Sequence, residues 1–77
     1  MTLDIAWSEA ALAGLYAMHP WDGMRVDRAV IGYAQRREGR VERVGPHRRL
    51  TVGPFRVIFT VVPETDTMNV LYLYRVR

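Results

Sequence analysis

The residues best suited to chemistry in this sequence are its arginines. Residues 40–77 carry seven arginines and three acids, whereas residues 1–39 carry four arginines and five acids. No acid lies within residues 43–63. Arginine stays protonated at neutral pH, and its planar guanidinium forms paired hydrogen bonds with phosphates and carboxylates. The second half of the chain is therefore expected to recognise an anionic group.

Strand pairing would gather several of these arginines at one end of a sheet. If the last strand runs antiparallel to the one before it, Arg75 and Arg77 end beside Arg56. Arg49 lies across the Gly53-Pro54 turn from Arg56, with His47 close by. Like charges this close cost free energy unless an anion joins them. Charge alone leaves a second interpretation open, a solvated rim whose arginines pair with Glu38, Glu42 or the C-terminal carboxylate.

Periodicity of the apolar residues predicts two helices and at least four strands. Ser8 can cap the first helix through its hydroxyl, and Gly39 is a natural end for the second. Gly53 is expected to take a positive φ in a tight turn with Pro54. Residues 41–44 are extended or irregular. The predicted elements are a strand over 2–7, helices over 9–18 and 24–37, and strands over 48–52, 55–62 and 68–76.

The order β-α-α-β-β-β predicts an α+β fold, an antiparallel sheet with a helical hairpin packed on one face. The first strand can pair along one edge. Phe55, Val57, Phe59 and Val61 should face the helices, which puts Arg56 on the other face. Because one layer of helices covers only one face, the second face is expected to meet something else, such as a partner segment. The apolar candidates for that second face are Ile58, Val62, Leu71 and Leu73.

Length and composition exclude several classes of protein. The chain has 77 residues, which predicts a single domain over residues 1–77. It has no cysteine and only two histidines, so no disulfide framework, metal site or bound cofactor is expected. No apolar run is long enough to cross a bilayer, and the N-terminus has no basic region typical of a signal peptide. We therefore expect a cytoplasmic protein that does not bind membranes.

The segment HRRLTVGPFRVIFTVVPETDTMNVLYLYRVR, residues 47–77, resembles the RelE/ParE superfamily of toxins from bacterial type II toxin–antitoxin pairs. Its members carry a basic strand, a glycine turn, an aromatic-Arg-apolar strand, an acidic turn and a last strand that ends in basic residues. The first half of the chain also fits, with a strand, a helix opened by Trp7-Ser8 and a second helix. The resemblance covers almost the whole chain.

The resemblance implies a RelE-like toxin that cleaves messenger RNA on the ribosome and inhibits translation. In such enzymes the 2′-hydroxyl attacks the adjacent phosphate without a metal or other cofactor. The resemblance also implies a cognate antitoxin protein as partner. Carried over by position, the catalytic residues are Arg49, Arg56 and Arg75, and the residues that bind the substrate are His47, Arg48, Thr51 and Arg77.

Two features depart from the pattern of the nucleases. Thr51 stands where these members often have a further basic residue, and we expect no tyrosine or histidine from a C-terminal tail. His47 or Tyr74 would have to move the proton instead. The alternatives are a ParE-like toxin that acts on a protein target such as DNA gyrase without cleaving RNA, and a degenerate member that folds but has no activity.

Overall fold

The computed structural model describes residues 1–77, in which two helices pack on one face of a five-stranded sheet. A short 3-10 turn, Pro63–Thr65, separates the last two strands. The elements in chain order are β1 (Asp4–Trp7), α1 (Glu9–Ala17), α2 (Pro20–Arg36), β2 (Arg40–Val44), β3 (His47–Val52), β4 (Phe55–Val62) and β5 (Thr67–Arg75).

The strands lie in the order β1-β5-β4-β3-β2. Strands β2 to β5 form an antiparallel meander, and β1 pairs along the free edge of β5. The α+β fold with helices on one face is therefore confirmed, with two corrections. Residues 40–44 form a fifth strand, and β1 is parallel to β5, which makes the sheet mixed. The parallel pairing follows from the two helices, which return the chain to the end of the sheet where β1 finished, so that β2 runs opposite to β1 and β5, three reversals later, runs in the direction of β1.

The second helix begins earlier than the predicted residue 24. Pro20 occupies its first turn, where a missing N–H costs nothing, and Nδ1 of His19 accepts from the Trp21 amide at 3.3 Å. Pro20 therefore starts α2 and does not extend the interruption between the helices. Neither α1 nor α2 is long and apolar enough to cross a membrane.

The hydrophobic core lies between the helices and one face of the sheet, which we call the covered face. Val26, Val30 and Tyr33 of α2 pack there, and the Tyr33 and Phe59 rings have their centroids 5.0 Å apart. The sheet contributes the predicted row from β4 and matching positions of its neighbours. These core residues are Leu50, Val52, Phe55, Val57, Phe59, Met68 and Val70.

A β-bulge in β5 changes which side chains face the core. Ile58 pairs with Tyr72 while the next residue, Phe59, pairs with Val70, so Leu71 is an extra residue. Ser8 holds the bulge: its hydroxyl donates to the Leu71 carbonyl at 2.5 Å and accepts from the Ala11 amide at 3.0 Å. One residue therefore caps α1 and ties down the irregular position of β5.

Candidate functional site

The other face of the sheet carries no helix, and we call it the open face. Cross-strand pairing arranges its side chains in two rows that each run across four strands. One row is Arg40, Thr51, Arg56 and Tyr74, and the other is Glu42, Arg49, Ile58 and Tyr72. These two rows thus combine arginines and tyrosines around a single aliphatic side chain, Ile58.

Arg49 lies between an acid and a tyrosine. Its Nη2 donates to the Glu42 carboxylate at 3.2 Å, whereas its Nε is buried without a partner. The Tyr74 hydroxyl oxygen contributes most to raising the pKa of the Arg49 guanidinium, and the Glu42 carboxylate contributes next. Because arginine is already protonated at neutral pH, Arg49 keeps its positive charge there.

Arg56 is held by the backbone of the turn that precedes its strand. Its Nη1 donates to the carbonyls of Gly53 and Phe55, each at 2.9 Å. Gly53 has a φ of 56°, as predicted for the turn. No carboxylate lies within ion-pairing distance of Arg56. The side chain is therefore oriented by neutral acceptors, and its positive charge is not neutralised.

Two tyrosines of β5 form an aromatic surface beside the arginines. The Tyr72 and Tyr74 rings have centroids 6.3 Å apart and an interplanar angle of 28°, and their residues are 46% and 40% exposed. Ile58 lies between Arg49 and Tyr72 in its row and is only 4% exposed, although no helix covers it. The long side chains of the open face therefore shield Ile58 from water.

Two of the residues predicted to bind substrate also lie on the open face. Thr51 pairs with Arg56 across β3 and β4, and both are partly buried. His47 begins β3 on the same face as Arg49 and Thr51, and it pairs with Val44 of β2. The structure therefore brings His47, Arg49, Thr51 and Arg56 onto one face. His47 lies at the far end of β3 from Arg56, which pairs with Thr51, so the expectation that His47 lies close to Arg56 is wrong.

The structure places Arg48 and Arg75 on the covered face, which corrects the expectation of a single cluster. Arg75 pairs with Phe55, and its Cζ lies 5.6 Å from the centre of the Phe55 ring. The bulge at Leu71 causes this, because it shifts the alternation of β5 by one residue and turns Arg75 away from Arg56. By the same shift Leu73, predicted for the second face, packs against the core.

The remaining two candidates for substrate binding also lie outside the open face. Arg48 donates to the Tyr33 hydroxyl at 3.0 Å, on the side of α2. Arg77 follows the end of β5 and is exposed. The main chain still reaches toward the Gly53-Pro54 turn there, because the Val76 amide donates to the Pro54 carbonyl at 2.7 Å. Arg77 is therefore one residue away from a backbone contact with the turn, but it lies outside the sheet.

The alternative interpretation, in which the arginines form ion pairs with nearby acids, applies to only one of the candidate site arginines. Arg49 pairs with Glu42, as that interpretation allowed, and the other ion pair joins Arg36 to Glu38 away from the site. Tyr72 was not predicted as a residue of the site. The bulge that turns it to the open face depends on Ser8, which is distant in the chain, and no sequence pattern near residue 72 indicates the bulge. No group of three or more His, Asp or Glu side chains is placed to hold a metal ion.

The open face can therefore stabilise negative charge and exchange a proton with a bound group. Guanidinium groups suit the first task, since they donate to anionic oxygens and remain charged. A tyrosine hydroxyl suits the second, because it can both donate and accept a hydrogen bond. Arg49, Arg56 and Tyr74 are the residues of this face that supply the two functions together.

Solved structures similar to this chain come from toxin–antitoxin systems. A chain of a RelBE toxin–antitoxin complex from Mycobacterium tuberculosis matches with a TM-score of 0.83 at 16% identity, covering 97% of this chain and 92% of that one. The isolated E. coli RelE toxin matches with a TM-score of 0.79 at 11% identity, covering 99% and 86%. A chain of the ParDE system of P. aeruginosa matches with a TM-score of 0.65 at 20% identity, covering 99% and 98%.

No protein-family model and no curated protein matches the sequence. The structural matches nevertheless span nearly the whole chain. The chain therefore has the RelE/ParE fold, and the resemblance in residues 47–77 is confirmed at the level of the fold.

Proposed function

We propose that this protein is the toxin of a type II toxin–antitoxin pair and that it acts as a RelE-like endonuclease on messenger RNA in the ribosome. The observation that carries the proposal is the open face itself. Arg49 and Arg56 lie there on adjacent strands with Tyr74 beside them, and Arg56 has no acidic partner. This is the combination that cleavage of a phosphodiester without a metal requires.

In the proposed reaction the 2′-hydroxyl oxygen attacks the adjacent phosphorus, and the bond from phosphorus to the 5′-oxygen breaks. The hydroxyl proton must leave, and the departing 5′-oxygen must gain a proton. The products are a cyclic phosphate and a 5′-hydroxyl end. Negative charge builds up on the phosphoryl oxygens in between, and donors fixed in advance stabilise it most effectively.

Arg56 is the proposed principal stabiliser of that charge. Its two hydrogen bonds to the turn both use Nη1, so Nη2 and Nε remain available for phosphoryl oxygens. Arg49 on the adjacent strand supplies a second positive charge. Substrate binding on this face falls to His47 and Thr51, while Arg48, Arg75 and Arg77 would reach the RNA only away from the reacting phosphate.

Tyr74 is the proposed proton-transfer group. It is cross-strand neighbour to Arg56, and its hydroxyl interacts with the Arg49 guanidinium. A phenol hydroxyl can both accept and donate a hydrogen bond, as a proton-transfer group must.

A cognate antitoxin is the proposed regulatory partner. Several similar solved structures are complexes of a toxin with its antitoxin. The open face combines exposed tyrosines with unneutralised arginine, so an acidic segment laid across it would bury the rings and balance the charge. Such a segment would also block access of RNA.

A ParE-like action on a protein target such as DNA gyrase is the second candidate. Two observations favour it: Thr51 is uncharged at a position central to the open face, and Glu42 neutralises part of the charge of Arg49. Both lower the positive potential that an RNA phosphate would meet.

Induced expression in a bacterial host tests the proposal. Growth arrest with new 5′ ends in phase with codons, mapped by primer extension on a translated message, is the expected result. The same message without a start codon is the matched control, and it should stay intact. Arrest without new RNA ends, together with loss of supercoiling by purified gyrase, would support the second candidate. No arrest from a folded protein would contradict both.

A further inference from the structure

A guanidinium from α2 lies against the Gly53-Pro54 turn. A Cβ atom placed on Gly53 would lie 2.5 Å from Nη2 and 2.8 Å from Cζ of Arg25. Such distances are shorter than packed atoms allow, so Arg25 occupies the space that any other side chain at position 53 would need. The positive φ of Gly53 favours glycine there, and the Arg25 guanidinium, at the end of a flexible side chain, fills the space beside it.

The same turn holds the Arg56 guanidinium. Nη1 of Arg56 is 2.9 Å from the Gly53 carbonyl oxygen, so two arginines from different elements meet at one residue. Neither takes part in an ion pair, although Asp22 and Asp27 are on the same helix as Arg25. Two unpaired positive charges around one turn repel each other, and a shared anion would remove that cost.

We propose that Arg25 and Arg56 together form a binding site for the backbone of single-stranded RNA, in which Arg25 contacts a phosphate next to the one held by Arg56. The inference rests on the proposed function, because it continues the path of the substrate from the open face over the Gly53-Pro54 turn toward α2. This gives Arg25 a role in substrate binding. Arg25 lies outside residues 47–77, the segment that carries the family resemblance, so the resemblance does not indicate this role.

The aromatic side chains of the open face favour RNA over an acidic peptide as the ligand. Tyr74 is the cross-strand neighbour of Arg56, and Tyr72 lies beside it with a similar ring orientation. Exposed rings next to arginines are the arrangement that binds single-stranded nucleic acid, since bases stack on the rings while arginines bind phosphates. The acidic side chains of a peptide would pair with the arginines but have no base to stack on the rings.

The test measures the affinity of the purified protein for a short fluorescein-labelled oligouridylate by anisotropy, over about 50 to about 200 mM NaCl. Arg25→Gln is expected to weaken binding at low salt by about three-fold to ten-fold and to reduce the slope of log affinity against log salt by about 0.7, the value for one phosphate on a single strand. Arg25→Lys, which keeps the charge, should keep the slope.

Arg28→Gln is the matched control, because Arg28 is an exposed arginine of the same helix and the change in charge is the same. It is expected to leave affinity and slope unchanged, and thermal melting should show that all three variants fold. Equal losses in Arg25→Gln and Arg28→Gln, an unchanged Arg25→Gln, or no binding by the wild type would overturn the inference.

An oligoglutamate of equal charge separates the two classes of ligand. If it binds as tightly as RNA and depends equally on Arg25, the site is one for acidic peptides and the inference is wrong. Codon-phased cleavage in cells judges the proposed function separately. Cleavage with an unchanged Arg25→Gln would contradict this inference alone, whereas binding that depends on Arg25 without cleavage would contradict the nuclease alone.

Discussion

The two faces of the sheet contain similar numbers of large side chains but organise them differently. On the covered face Phe59 and Val57 are fully buried, Arg48 donates to the Tyr33 hydroxyl, and the Arg75 guanidinium lies over the Phe55 ring. On the open face the rings of Tyr72 and Tyr74 stay exposed. There Arg56 is fixed only by carbonyls of a turn.

This difference separates stability from binding. Apolar area removed from water lies almost entirely on the covered face, which therefore supplies most of the free energy of folding. Side chains of the open face are held in place but incompletely paired, the state expected of groups that bind a ligand. Substitutions on the two faces should accordingly affect different properties.

Phe59→Ala should cause the greatest loss of stability. The Phe59 ring is fully buried against Tyr33, so its removal leaves a cavity in the core and is expected to lower the free energy of unfolding by about 3–5 kcal/mol. A 77-residue chain has little stability in reserve. Urea denaturation followed by circular dichroism measures the change.

Thr60→Ala is the matched control for Phe59→Ala, because Thr60 is the next residue of β4 and faces the other way. Its effect should stay within about 0.5 kcal/mol, as is usual for surface positions. A loss from Thr60→Ala as large as that from Phe59→Ala would show that the open face also carries the core of the fold.

Ser8→Ala should lower stability less than Phe59→Ala does, and it should also disturb the side chains of the open face. It removes the cap of α1 and the bond to Leu71, for an expected loss of about 1–2 kcal/mol in the free energy of unfolding. Because the bulge at Leu71 directs Tyr74 to the open face, RNA cleavage should also fall. Thermal melting and primer extension measure the two effects.

Ser8→Asp separates the two roles of Ser8. Aspartate can still accept from the Ala11 amide and cap the helix, but it has no proton to donate to the Leu71 carbonyl. Because the Leu71 carbonyl loses its donor and meets an anionic oxygen, we expect stability below that of the wild type even though the cap is kept, together with reduced cleavage. If Ser8→Asp cleaves as well as the wild type, the bulge does not need Ser8 to present Tyr74.

The smallest expected effect is a dependence on pH at the exposed pair of Arg36 and Glu38. Hydrogen bonding from Arg36, followed by its charge, lowers the pKa of the Glu38 carboxyl in the folded state. The stabilisation is therefore present above the ordinary pKa of glutamate and is lost as the pH falls through the lowered folded value.

Glu38→Gln should then lower the urea midpoint slightly at neutral pH, and the difference from the wild type should shrink as the pH falls below the ordinary pKa of glutamate. Glu64→Gln is the control, since Glu64 is exposed in the 3-10 turn and has no ion pair. If the difference in urea midpoint between Glu38→Gln and the wild type increased as the pH was lowered, the predicted direction of the pH dependence would be wrong.

Much of the fold could be predicted from the sequence, because its signals are local. The alternation of Phe55, Val57 and Phe59 predicted both β4 and its covered face, and Gly53-Pro54 predicted the turn. The placement of Arg56 opposite this row is confirmed by the register. Local alternation was sufficient here because β4 is regular up to Ile58.

The position of Arg75 could not be predicted in the same way. An uninterrupted β5 would have put Arg75 on the open face with Arg49 and Arg56. The bulge reverses this, and it depends on a bond between Ser8 and Leu71, 63 residues apart in the chain. The same long-range contact brings Tyr74 to the open face, so the predicted site lost an arginine and gained a tyrosine from one irregularity.

The most direct test of this account compares RNA cleavage by Arg56→Ala and Arg75→Ala, two arginines at one end of the sheet on opposite faces. The readout is the level of codon-phased ends in primer extension, at matched amounts of folded protein. We expect Arg56→Ala to abolish the ends while its stability changes by no more than about 1 kcal/mol, and Arg75→Ala to keep most of them. Loss of cleavage in Arg75→Ala with retention in Arg56→Ala would contradict the assignment of the active site to the open face.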